Sequence, residues 1–302
     1  MDFSKCTMQI DADGRELVDH GSVLFPVACY DDDFSKENVP WHWHEELEAG
    51  IVTEGEIVIA VDSEKQTLRP GEAFFINSGA LHGAWSAEKP EGKIHSLVFH
   101  PRIVGGSVDS IFWHDYVQPL MDDKTLKYLV LKKDGQWQQE IIEVLEHAWI
   151  SCVEGKNGFE FEVRNDLSRF VFLRVQNKSG MKHLPSAKTL RDAARIKLML
   201  CFIHEYFSEE ITVLQIGESA GISESEALRC FRSTIGTTPM KYLKEFRIHK
   251  ATELLAETDQ KIVDIGLACG FQDMSYFART FREMKGCTPS EFRRNSVYER
   301  NE

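Results

Sequence analysis

Two hydrophobic periodicities divide the chain. Between residues 20 and 100, short runs rich in β-branched and aromatic side chains near-alternate with polar ones: Gly50-Ile-Val-Thr53, Glu56-Ile-Val-Ile-Ala-Val61, Ala73-Phe-Phe-Ile76 and His95-Ser-Leu-Val-Phe-His100. Turn signals at Arg69-Pro-Gly71 and Asn77-Ser-Gly79 separate them. Many short strands at that spacing predict an antiparallel β-sandwich or small barrel. Beyond about residue 120 the period becomes helical. Ile141, Ile142, Leu145 and Trp149 predict a helix over 138–153, and Phe161, Leu167, Phe170 and Leu173 predict another over 159–176. Amphipathic helices beside a β-domain cover its open face or form a dimer contact. The run from Asn177 to Lys188 contains Ser, Gly, Pro and Lys without periodicity, which places a linker at 181–189. From 190 onward every segment reads as helix: 190–207, 213–220, 223–235, 239–256, 262–269, 274–285 and 289–294.

A duplication lies inside this helical third. Arg229, Phe231, Arg232, Gly236, Thr238, Pro239 and Tyr242 recur as Arg279, Phe281, Arg282, Gly286, Thr288, Pro289 and Phe292, every pair offset by 50. Gly217 and Gly221 recur as Gly266 and Gly270 at an offset of 49, so the second copy carries one extra residue after its turn. A small residue, a turn glycine, an R-x-F-R helix face and a G-x-T-P stop describe two helix-turn-helix units, with Pro opening the helix after each. On the first recognition helix Ser225, Arg229 and Arg232 share one stripe, flanked by Glu226 and Leu228, while Ala227, Phe231 and Ile235 lie on the buried side. On the second, Met274, Ser275, Arg279 and Arg282 face outward and Phe277 and Phe281 pack inward; Gln272 and Tyr276 complete the DNA-facing set. The intervening helix would span about 25–28 Å at 1.5 Å per residue. That rod can hold two recognition helices about one DNA turn, roughly 34 Å, apart.

The stretch from Ile262 to Arg293, with Asp264, Gly270, Phe271, Asp273, Ser275, Tyr276, Phe277, Arg279, Phe281, Arg282, Gly286, Thr288, Pro289 and Phe292 in order, resembles the signature of AraC/XylS-type transcription regulators. Residues 190–294 follow that family's two-motif pattern. The resemblance implies sequence-specific binding to double-stranded DNA as a homodimer, and activation through contact with RNA polymerase. The first motif departs from the family pattern: Glu224 and Glu226 place negative charge near the helix start, and Leu228 stands where a polar reader is common. The first helix is therefore expected to read fewer bases or to discriminate by repulsion, with Glu226→Gln weakening nothing.

Charge changes the picture only through its distribution. The net charge of the 302-residue chain is −13. Residues 188–302 carry 17 basic and 17 acidic side chains, whereas residues 1–187 carry 18 basic against 31 acidic. A neutral C-terminal half with local basic clusters permits DNA binding that an acidic average would obscure. A hydrophobic content of 42% suits a globular protein with a sizeable core and, at this length, two domains. The seven cysteines are scattered without a C-x-x-C and read as reduced thiols. No apolar run approaches the roughly 18–20 residues of a membrane span, and residues 1–10 lack a signal-peptide core, so the expected compartment is the cytoplasm, with no membrane partner.

The N-terminal half holds a second cluster. His42-x-His44-x-x-x-Glu48 is followed by Gly55, then by Gly71 and by Asn77-Ser-Gly79-Ala-Leu-His82. His42 and His44, two apart on a strand, share a face. Glu48 and His82 could join them, giving three imidazoles and a carboxylate suited to a divalent metal. The spacing resembles both motifs of the cupin fold, with Asn77 in place of a usual proline and Ser86 in place of a usual asparagine. Three roles stand open: a metal-free cavity for a small-molecule effector, often a carbohydrate in AraC-type sensors, lined by His42, His44, Glu48, His82 and Trp85; a metal site made by the same three histidines and Glu48; or packing and hydrogen bonding alone. Trp41, Trp43 and Trp85 could stack on a sugar or fill the barrel. A metal-dependent cupin enzyme, a dioxygenase or isomerase with an appended helical domain, is the rival of another class. No catalytic purpose explains the duplicated motif, and no cofactor is required by the regulator.

The expected architecture is α+β. A cupin-like antiparallel β-barrel spans 1–125, a helical dimerising or bracing segment 126–180, and an all-α domain with two helix-turn-helix motifs 190–302.

Overall fold

The computed structural model describes residues 20–36, 38–87, 92–123, 125–177 and 187–300. These fall into two compact units divided between Ala193 and Ala194. The first is built from β1 (Val27–Asp33), β2 (Val39–His42), β3 (Leu47–Glu54), β4 (Ile57–Val61), β5 (Glu64–Leu68), β6 (Ala73–Ile76), β7 (His82–Ser86) and β8 (Lys93–Phe99). Helix α1 (Arg102–Gly105), a π-helical turn (Trp113–Val117) and α2 (Gln118–Met121) then lead to β9 (Tyr128–Leu131), and the long helices α3 (Gln136–Glu154) and α4 (Phe159–Gln176) follow. One sheet has the order β1-β8-β3-β6-β9 and the other β2-β7-β4-β5. All pairings are antiparallel.

Period-two alternation distributes the side chains between two cores. Leu47, Ala49 and Ile51 of β3, Ala73 and Phe75 of β6, and Leu97 and Phe99 of β8 pack outward against Ile141, Leu145, Trp149, Leu167 and Phe170 of α3 and α4. The opposite faces look into the space between the sheets, where Val52, Phe74, Ile76 and Ile94 meet Ile57, Ile59, Val61 and Ala84 of the second sheet. The helices thus cover the five-stranded sheet. Trp149 fixes that seam: its indole N–H donates to the Tyr30 carbonyl at 2.9 Å, and its ring stacks on His95 at 3.5 Å between centroids.

Two expectations change. The segment expected to be helical from 126 begins with β9, whose Leu131 and Leu129 join the helix-side core while Tyr128 and Val130 join the inner one; four residues alternating over two apolar faces leave no helical period to detect. The predicted linker 181–189 lies partly outside the described residues, since only 187–189 are described, and these already belong to α5 (Ala187–Tyr206).

The second unit continues from α5 through α6 (Val213–Ser219), α7 (Glu224–Thr234), α8 (Pro239–Glu257), α9 (Ile262–Ala268), α10 (Met274–Lys285) and α11 (Pro289–Arg300). Its boundaries are written in caps. Thr212 and Gln215 form a capping box at α6. Ser223, Thr238 and Asp273 each accept a backbone N–H at the start of α7, α8 and α10. Gly221 and Gly270 make the two turns with φ of +65° and +78°, the left-handed conformation that glycine adopts without penalty. A Cβ on Gly270 would also stand 2.8 Å from the Phe207 carbonyl oxygen.

Candidate functional site

The caps and glycine turns set α6–α7 and α9–α10 as two helix-turn-helix units, and the exposed faces of α7 and α10 carry the predicted readers. On α7, Ser225, Arg229 and Arg232 are exposed, while Ala227, Cys230 and Phe231 are buried. On α10, Ser275, Tyr276, Arg279 and Arg282 are exposed beside Gln272, and Phe277, Thr280 and Phe281 are buried. The Arg279 guanidinium lies 5.6 Å from the Tyr276 ring centroid, a cation–π contact across one helical turn. Helix α8 joins the units with 19 residues, about 28 Å at the usual rise.

Three predicted members of this face differ in detail. Met274 is half-buried rather than outward-facing: it packs against the Phe277 and Phe281 core, and its sulfur closes over Gly266. Leu228 is likewise only partly exposed. Glu226 is no isolated repulsive charge, because its Oε1 accepts from Arg195 of α5 at 2.8 Å and from Arg229 at 3.0 Å. The hydrogen bond from Arg229, with the added charge of Arg195, holds its carboxyl below the ordinary value. The expectation that Glu226→Gln weakens nothing loses its basis. Arg195 lies 31 residues before Glu226, in a helix without motif, so no local pattern announces it.

In the first unit, the end of β2, the segment that follows it, the inward face of β3 and the start of β7 bring His42, His44, Glu48 and His82 together, with one ligand-capable atom from each within 4.8 Å of the others. His44, expected on the same strand as His42, lies beyond it, because β2 ends at His42. All three histidines are buried. Each ring has its Nδ1 committed to a main-chain carbonyl: His42 to Pro40 at 2.9 Å, His44 to Glu46 at 3.1 Å and His82 to Ala80 at 2.8 Å. A carbonyl can only accept, so each Nδ1 carries the proton and each Nε2 is the remaining ring atom. Glu48 Oε2 sits 2.8 Å from His82 Nε2 and 3.3 Å from His44 Nε2. Burial opposes the Glu48 charge, yet the imidazoles of His82 and His44 outweigh it and hold its carboxyl well below the usual range. His20, which the motif spacing gave no reason to include, places its ring 5.3 Å from that of His44 and bonds Tyr30 at 2.8 Å.

The structure separates Trp85 from this cluster. His82 and Ala84 of β7 point inward, so Trp85 points to the outer face of the four-stranded sheet, with Lys65 5.0 Å above its ring. Trp41 alternates with His42 in the same way, and its ring lies 6.4 Å from that of Trp85. Neither indole stacks on a ligand held between the sheets. Asn77, at the position of the usual cupin proline, donates to the Leu120 and Leu126 carbonyls at 2.9 Å and thereby ties β6 to the segment before β9.

Comparison with known proteins covers both units. Residues 216–295 match the model of a helix-turn-helix domain, and residues 24–162 match that of the AraC-like ligand binding domain. The chain is 28% identical over 288 residues to the HTH-type transcriptional regulator YdeC of Bacillus subtilis, spanning 94% of this chain and 97% of that one. It is 23% identical over 270 residues to the melibiose operon regulatory protein of Escherichia coli, spanning 86% and 85%. Among solved structures, an AraC-type transcriptional regulator from Chromobacterium violaceum is 32% identical, with 34% of this chain and 91% of that one covered and a TM-score of 0.33. These families and relatives are transcription regulators, which sets aside the cupin-enzyme reading. With one matched model in each unit, the chain belongs to the AraC/XylS family of DNA-binding transcription regulators with an N-terminal ligand-binding domain.

Proposed function

We propose that this regulator senses its effector at the His42, His44, Glu48 and His82 cluster, with a divalent cation held by those four side chains, and transmits occupancy to DNA read by α7 and α10. The observation that carries the sensor assignment is the orientation of the three imidazoles. With Nδ1–H donated to a carbonyl, a neutral His44 or His82 offers only a lone pair at Nε2, and both Nε2 atoms face one Glu48 carboxylate oxygen. Two acceptors in that position need a proton or a cation between them. Protonating both rings that face Glu48 would bury two imidazoliums beside one carboxylate, which is costly, whereas one divalent ion can be held by all four groups. Ligand atoms about 2.0–2.2 Å from a common ion stand roughly 3–4 Å apart, close to the spread of at most 4.8 Å seen here. A bound ion with open positions supplies a Lewis-acid anchor for oxygen donors. Vicinal hydroxyls of a carbohydrate are such donors, and a melibiose operon regulator stands among the relatives.

The test is a titration of untagged, chelator-stripped protein with Mn²⁺ and Zn²⁺. One equivalent per chain is expected for the wild type and none at the cluster for His82→Ala or Glu48→Gln. At a hundredfold excess over Kd, the ion should stabilise the folded protein by about 2.7 kcal/mol. A wild-type chain that takes up no ion, or a His82→Ala chain that binds equally, contradicts the metal.

The regulator is proposed to act in the cytoplasm as a homodimer that activates through RNA polymerase. No helix among the described residues is long and apolar enough to cross a membrane. Phe161, expected within the inward stripe of α4, is instead 72% exposed, and Ile111 and Phe112 beside the π-helical turn are 64% and 57% exposed. Such apolar exposure supports a protein–protein contact made by the first unit. Sedimentation equilibrium should report a dimer at micromolar concentration; a monomer at every concentration contradicts it.

A further inference from the structure

The two recognition helices hold their central arginines by different means. The 50-residue offset that pairs Arg229 with Arg279 also pairs Glu226 with Tyr276. In the second copy the partner three residues earlier is an aromatic face, 5.6 Å from the Arg279 guanidinium. In the first copy it is a carboxylate that accepts from Arg229 at 3.0 Å. A carboxylate alone would cancel the positive charge offered to DNA. Arg195 restores it, donating at 2.8 Å to the same Oε1, so the three side chains together carry one net positive charge, as Tyr276 and Arg279 do. The bridge is open to solvent: Arg229 and Glu226 are 44% and 38% exposed, and Arg195 is 22% exposed. Ser223 fixes its base by capping the Glu226 backbone N–H at 3.4 Å.

We infer that Glu226 is a specificity-determining positioning residue: bridged to Arg195, it holds the Arg229 guanidinium in one orientation so that the first recognition helix discriminates a base pair in its half-site. The inference rests on the assignment of α7 and α10 as the DNA-reading helices. Freed from Glu226, Arg229 keeps its charge but gains rotamers, so it still finds phosphate while its preference for one base edge falls. A bidentate arginine–guanine contact is directional, whereas a phosphate contact is sequence-independent.

The experiment measures affinity of the full-length chain for a selected operator and for its single-base variants in both half-sites. Glu226→Gln should lower discrimination at one base pair of one half-site on the order of tenfold, leave the other half-site unchanged, and leave the thermal midpoint unaltered. Arg195→Ala should blunt the same base pair. Arg279→Ala should blunt a base pair of the other half-site only. In an Arg229→Ala background, Glu226→Gln should change discrimination no further, because its effect runs through Arg229. Unchanged discrimination in Glu226→Gln, or a uniform tightening on every sequence, overturns the inference and leaves Glu226 a repulsive charge. Additive losses in the Arg229→Ala background overturn it as well. Failure of the wild-type chain to prefer any operator would overturn the DNA-reading assignment, and this inference with it.

Discussion

Replacing Phe281 by alanine should destabilise the second unit by about 3–5 kcal/mol, the range for deleting a fully buried aromatic ring. Phe281 has no exposed surface. Its ring meets Phe277 and Phe292 edge to face, at 5.9 and 5.6 Å between centroids. It belongs to a core with Ile248, Leu255 and Ile265, contributed by α8 and α9. One side chain thus seats α10 against three other helices. The loss should fall on DNA binding through the seat of α10, because Arg279 and Arg282 lie on the exposed face of the same helix. Urea unfolding monitored by far-ultraviolet circular dichroism gives the value. A loss below about 1 kcal/mol would mean that the packing of α10 is not what holds it.

Acid should weaken the second unit through His204. The ring is buried beneath α8, stacked on Phe246 at 4.2 Å and bonded through Nε2 to the Tyr242 hydroxyl at 2.7 Å. Burial, followed by the nearby Lys250 and His249, pulls its pKa down to about 3. Unfolded histidine titrates near 6.5. The folded state therefore holds the ring neutral while the unfolded state binds a proton below about pH 6.5. The stability that neutral His204 permits is fully present above that pH and falls as pH drops from about 6.5 toward 3, by roughly 1.4 kcal/mol per unit. At pH 5 the deficit should be about 2 kcal/mol. Urea midpoints at pH 7.5 and 5 should differ accordingly in the wild type and much less in His204→Gln. Equal acid sensitivity in both would place the titrating group elsewhere.

What the sequence revealed tracks the length scale of each signal. The duplicated motif was legible because caps, glycines and buried aromatics are local and repeat at a fixed offset; Ser223, Thr238 and Asp273 cap the helices that the pattern placed. The histidine cluster was legible from motif spacing, although His44 lies beyond the strand that period-two geometry assumed for it, and the same geometry, applied to β7, puts Trp85 on the wrong face of its strand. Met274 looked exposed from its place on the helix wheel, yet the glycine at 266 opens a space that only the packed pair reveals. Arg195 and His20 arrive from distant segments, and nothing near them in sequence marks their partners. Long-range pairing, not chemistry, was the missing information.

Whether α7 and α10 read two half-sites in DNA is decided by selection of sheared genomic DNA with the purified full-length chain. The selected fragments should share two short motifs about one helical turn, roughly 34 Å, apart, the spacing at which both helices can enter major grooves on one face. Fragments enriched without any common sequence, held only by salt-sensitive charge contacts, would contradict that reading.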